Sequence, residues 1–215
     1  MKNIALVSLV VLSLFTGCKS SREDPAAGFS AQIRNIVPES IIQNLKDRGM
    51  PVYEGTAPPK VEGIYVSSPH ELFSPYDGDS YSKGYKFNDL KIKFSEQNDK
   101  DLSIRADLKG STTGTGIGAF LSGHGNFFTL FAEIKATDGV VTSTQIRVFS
   151  GEWTDTGIKN LYTALIMKDK NDPGETLIPV GQGRILRDSD GLASNSSSFR
   201  LATGEEKPSD ASNKK

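Results

Sequence analysis

Few residues of this chain stand at spacings that chemistry uses, and each such group has a plainer reading beside the chemical one. Gly114-Thr115-Gly116-Ile117-Gly118-Ala119 has the glycine spacing with which backbone amides cradle a pyrophosphate. That chemistry needs a buried strand before the glycines and a helix N-terminus after them. Here Ser111-Thr112-Thr113 precedes and a β-patterned aromatic run follows. Glycine at every second position of a strand instead clears one face, for a bend, for packing against a helix or for a ligand. Asp188-Ser189-Asp190-Gly191 and Asp77-Gly78-Asp79-Ser80 have the alternating oxygen donors that open a calcium loop. A glutamate must close such a loop at its twelfth position, and Phe199 and Asn88 stand there instead, so both segments read as turns. His70 and His124 are far apart in sequence and read as surface or loop residues, without the spacing of a zinc site or of a Ser-His-Asp triad. The expectation is no catalytic residue, no metal, no cofactor and no enzyme.

Charge names no partner either. Lys plus Arg is 25 and Asp plus Glu is 26, a formal net charge of −1, which gives no electrostatic case for nucleic acid.

The elements that would position a site follow from periodicity. Pro38 to Gly49 predicts one short helix: proline at the first position, Glu39 in the first turn, Lys46 and Arg48 in the last, and a closing glycine. Ile41, Ile42 and Leu45 make one apolar stripe that must dock on the rest of the domain. From Val61 the period becomes two. Strands are predicted at 61–68, 85–95, 102–109, 115–121, 127–136, 140–151, 158–168 and 177–186, separated by turn chemistry such as Asp138-Gly139 and Asp172-Pro173-Gly174. Short connections imply antiparallel neighbours, and eight such strands predict a mainly β fold, an eight-stranded antiparallel up-and-down barrel. Leu90, Ile92 and Phe94 form a dry face against Asp89, Lys91 and Lys93, and Ile146 and Val148 form one against Gln145 and Arg147. Phe94, Phe120, Phe128 and Phe131 are available for an inner wall, and Trp153 caps a strand end.

The first eighteen residues bear on address. Met1-Lys2-Asn3 leads into an apolar run over 4–15, too short for a permanent transmembrane helix and long enough for a secretory signal, and the run closes on Thr16-Gly17-Cys18. This segment resembles the lipobox of bacterial lipoproteins. The resemblance implies cleavage between Gly17 and Cys18, lipidation of Cys18 with palmitate-type chains, and an envelope protein anchored in the outer membrane. Cys18 is the one cysteine of the chain, so no intramolecular disulfide can form. Two or three acyl chains, at about 0.8 kcal/mol per buried methylene, make a lasting anchor. Glu23-Asp24 leaves periplasmic and surface-facing orientations open. The predicted organisation is a signal peptide at 1–17, a flexible tether at 18–35, a helix-plus-barrel domain at 36–192 and a disordered tail at 193–215.

Gly63-Ile64-Tyr65 on the first strand and Gly183-Arg184-Ile185-Leu186-Arg187 on the last resemble the calycin pattern of lipocalins and avidins. That resemblance implies that Tyr65 and Arg184 form a structural pair closing the barrel through a cation–π contact. The stretch from Pro51 to Tyr65, with Gly157-Ile158-Lys159-Asn160-Leu161-Tyr162, is similar to uncharacterised lipoproteins of Bacteroidota, which implies no activity. The reading is a lipid-anchored protein binding a small apolar or amphipathic ligand in a β-barrel, at residues the sequence does not identify. The alternative is a filled barrel serving as a non-catalytic interaction subunit or surface protein, its protein partner unnamed.

Overall fold

A computed structural model describes residues 28–111 and 113–200. Gly17, Cys18, the signal peptide and most of the predicted tether and tail lie outside the described residues.

Helix α1 (Ala31–Ile36) starts at Ser30, whose hydroxyl accepts the Ile33 N–H at 3.3 Å. Helix α2 (Glu39–Asp47) is the predicted one, with Glu39 in its first turn, Lys46 in its last and Gly49 beyond it at φ +87°. The first helix is an addition to the sequence reading. It lies within the stretch expected as tether, yet Phe29 and Ile33 are buried, so packed structure begins before residue 36.

Twelve strands follow among the described residues: β1 (Thr56–Ala57), β2 (Gly63–Ser67), β3 (His70–Ser74), β4 (Lys86–Phe87), β5 (Leu90–Asn98), β6 (Ser103–Lys109), β7 (Thr113–His124), β8 (Phe127–Asp138), β9 (Val141–Thr154), β10 (Gly157–Asn171), β11 (Gly183–Asp188) and β12 (Leu192–Asn195). They form one mixed sheet, in which β1 runs parallel to β7 and the other pairs are antiparallel. Strands β12, β2, β5, β6, β7, β8, β9 and β10 close a hydrogen-bonded ring, because β12 pairs with both β2 and β10. The expected regular barrel is thereby corrected: the ring has eight strands but is not evenly arranged around an axis, and β11, β3 and β4 leave it as a side flap.

The reason is a fork in β10. Its first residues, Gly157 to Lys159, pair with β12, and after a bulge Tyr162 to Ile166 pair with β11. Asn160 takes a left-handed conformation in the bulge, φ 48°, and its N–H donates to the Gly191 carbonyl at 3.0 Å. Strand β12 also carries the fold across the predicted boundary at residue 192, with Ala193 fully buried.

Two apolar layers flank the ring wall. Inside, Ile92, Phe94, Ile104, Leu121, Phe128, Leu130 and Phe149 pack together with Tyr65, and the Phe94 ring meets Phe149 at 5.5 Å and Phe128 at 6.3 Å, edge to face. Outside, Ile33, Ile42 and Leu45 of the helices cover Phe131, Ile146, Val148 and Ile166, with Phe29 edge-on to Phe131 at 5.2 Å. Of the aromatics offered for an inner wall, Phe94 and Phe128 point inward, whereas Phe120 and Phe131 belong to the layer beneath the helices. The glycine run lies wholly in β7 with no helix after it, so the pyrophosphate geometry is not built. A Cβ at Gly116 would lie 2.7 Å from the Ala106 carbonyl oxygen, so that glycine permits the close approach of β6 at the register shifts in β6 and β7.

Arg48, just past α2, ties the helix to the flap. Its Nε donates to Ser74 Oγ at 3.0 Å, and its Nη2 donates to the carbonyls of Ser74, Pro75 and Gly183 at 2.7, 3.2 and 3.0 Å. Hydrogen bonds from a charged donor contribute about 1.5–3 kcal/mol each at most, and this side chain is only partly buried. Arg48→Ala is expected to lower the unfolding free energy by about 2 kcal/mol, read as a lower urea midpoint with unchanged slope.

Candidate functional site

A cleft of about 460 Å³ opens at one end of the ring, where β5, β7 and β9 begin and β6 and β8 end. The opposite end is filled by the aromatic core around Phe94. Leu90, Leu108, Leu165, Met167, Ile178 and Leu186 supply apolar walls, and Tyr76, Tyr81 and Phe87 from the flap form an aromatic rim.

Polar groups reach this cleft because β9 alternates. Ile146 and Val148 face the helices, and Ser143, Gln145, Arg147 and Phe149 face into the ring. This inverts the predicted wet face: Gln145 and Arg147 are not on the solvent side but buried, at 3% and 8% exposure. A relay holds them, with Arg147 Nε donating to Gln145 Oε1 at 2.8 Å and Gln145 Nε2 donating to Ser143 Oγ at 2.8 Å. Among the described residues neither Nη group of Arg147 has an acceptor, and no carboxylate pairs with it. Burial draws its pKa down to about 10, which still leaves it cationic at neutral pH.

His70 is a second correction, since it is 5% exposed and not a surface residue. Its Nδ1 shares a hydrogen bond with Ser67 Oγ at 3.0 Å. Burial, then the nearby Arg147 charge, lowers its pKa from 6.5 to about 3, so the imidazole is neutral at pH 7. Close by, Asp188 accepts the Ser68 N–H at 2.9 Å and the Leu192 N–H at 3.1 Å; burial and the adjacent Asp190 raise its carboxyl to about 6. These contacts tie the turn between β11 and β12 to the one between β2 and β3, and among the described residues no three metal-ligating side chains gather. His124 is exposed, with Nδ1 3.0 Å from the Glu54 carbonyl oxygen.

The expected Tyr65–Arg184 pair is not formed. Tyr65 is a core residue whose hydroxyl donates to the Val61 carbonyl at 2.9 Å, and Trp153 packs against the same core. Arg184 lies on β11, which borders β10 and β3 and is separated from β2 by the fork. It covers Tyr76, Tyr81 and Phe87 at 5.6, 5.0 and 5.5 Å. Its Nε and Nη2 donate to Asp79 at 2.7 and 2.6 Å, so its charge is compensated at the rim. The late strand that closes the ring on β2 is β12, with Asn195 opposite Tyr65.

The residues that sequence reasoning missed are thus His70, Gln145 and Arg147. One signal was present: Ser143, Gln145, Arg147 and Phe149 fall at period two, and Phe149 is too large and apolar to share a solvent face. Chemically the site offers an apolar cavity with one uncompensated cation and a neutral imidazole. Comparison with known protein families, with curated proteins and with solved structures finds no match to this chain.

Proposed function

We propose that the chain is a lipid-anchored protein of the cell envelope, held in the outer membrane through Cys18, that binds a small apolar or amphipathic ligand in the open end of its β ring. The ring is best read as a distorted eight-stranded, calycin-like barrel, split where β10 forks. One observation carries the binding reading: a cleft of about 460 Å³ with apolar walls and a few convergent polar groups, within the range of roughly 300–1,000 Å³ usual for small-molecule sites. The role is carriage or sensing, without covalent chemistry and without nucleic acid. The alternative, a filled ring acting only as a docking subunit, draws support from the closed end, where Phe94, Phe128 and Phe149 pack edge to face. It leaves the apolar cleft at the other end without a use.

Native mass spectrometry of the protein purified gently from its own host tests this reading. The expected result is a reproducible mass excess that disappears on denaturation. A bare mass that stays bare after incubation with envelope lipid extract would overturn it.

A further inference from the structure

Resting on that reading, we infer that the ligand of the cleft carries a single carboxylate held by the guanidinium of Arg147, with its apolar body against Leu90, Leu108, Leu165 and Met167. Arg147 is buried as a residue, at 8% exposure, sits on β9, and its guanidinium is fixed by Gln145 through Nε alone. Its two Nη groups form the fork that matches a carboxylate with two parallel hydrogen bonds. A cation taken out of water without a counter-charge is destabilising, so its retention there calls for an anion. The protein supplies none among the described residues. The carboxylate that lines the cleft, Glu175, is held by Lys170 at 3.0 Å, and Asp79 is held by the cleft-lining Arg184 at 2.6 Å.

The count of free charge selects the head group. Arg184 is neutralised by Asp79 and His70 is neutral at pH 7, so among the described residues Arg147 is the cation lining the cleft without an ion pair, while Glu175, held by Lys170, stands 82% exposed at its edge. A monoanion balances it, whereas a phosphomonoester dianion would carry a buried surplus charge. The cleft also favours an aliphatic body, because Leu90, Leu108 and Met167 on its walls are buried whereas Tyr81 at its rim is exposed.

The test is calorimetric titration of the full mature chain, produced without acylation, with octanoate, 1-octanol and octyl phosphate. Octanoate is expected to bind at least tenfold more tightly than octanol. Arg147→Met is expected to bring octanoate down to the affinity of octanol while octanol binding persists. Should that variant fail to fold, carboxyl-¹³C octanoate on the native sequence decides: its bound carboxylate should remain ionised at a pH at which the free acid is protonated. Equal binding of octanoate and octanol would overturn the carboxylate assignment and leave the cleft a binding site. Tighter binding of octyl phosphate would overturn it in favour of a phosphate head. No binding of any of the three would overturn both the inference and the reading it rests on.

Discussion

Between pH 6.5 and about 3 the folded protein should lose stability at close to 1.4 kcal/mol per pH unit through His70 alone. The unfolded chain takes up a proton near pH 6.5, and the folded chain refuses it until about 3, because the imidazole is buried and faces the Arg147 charge. Within that window the unfolded state binds more protons, so stability is fully present above 6.5 and falls as the pH is lowered. The cumulative loss at pH 4 is about 3 kcal/mol, a large share of a typical domain's margin. Asp188 acts in the opposite direction, since its raised carboxyl pKa makes stability fall as pH rises through about 6. Urea denaturation at several pH values, on the native sequence and on His70→Gln, separates the two, because the Asp188 contribution cancels in the difference. The variant should show the shallower acid loss. Parallel pH profiles for both proteins would mean that His70 does not exclude its proton.

On the proposed lipid anchor, replacing Cys18 by serine should abolish acylation of the chain altogether. A lipoprotein cysteine carries two or three acyl chains, each contributing about 0.8 kcal/mol per buried methylene. In cells fed an alkyne analogue of palmitate, the unaltered protein should be labelled and should sediment with the envelope. Cys18→Ser should be unlabelled. Label retained in the serine variant would refute the lipobox reading, and with it the proposed address.

The cost of Arg147 connects these points. A guanidinium buried with no counter-charge is a poor device for stability. It stands where β9 turns from the aromatic core at Phe149 toward the open cleft, and it also helps to keep His70 neutral. A site that is stable only at some expense, in a ring whose other end is ordinarily packed, is the place of the proposed ligand site.

Local order was legible in the sequence. The period-two runs marked the long strands, because successive side chains of a strand point to opposite faces. The run from Leu90 to Phe94 obeyed that rule as expected, with Leu90, Ile92 and Phe94 buried. Helix α2 was equally legible, because proline, the first-turn acid and the closing glycine act within a few residues of one another. The site was not. Alternation in β9 separated Ile146 and Val148 from Gln145 and Arg147 correctly, but it could not say which face water would see, and two helices at the other end of the chain reversed the answer by covering the apolar one. Tyr65 and Arg184 were expected as neighbours because they stand on the first and last strands read from sequence. The fork at Asn160 gave that place to β12 and sent β11 into the flap. What the sequence by itself determined were the short-range features: strand and helix propensity, alternation and turns, each fixed by residues a few positions apart. Which face is inside, which strands meet, and that Arg147 and His70 share one cleft were decided only by tertiary structure, because long-range pairing depends on loop closure and on competition among apolar faces for the same buried volume.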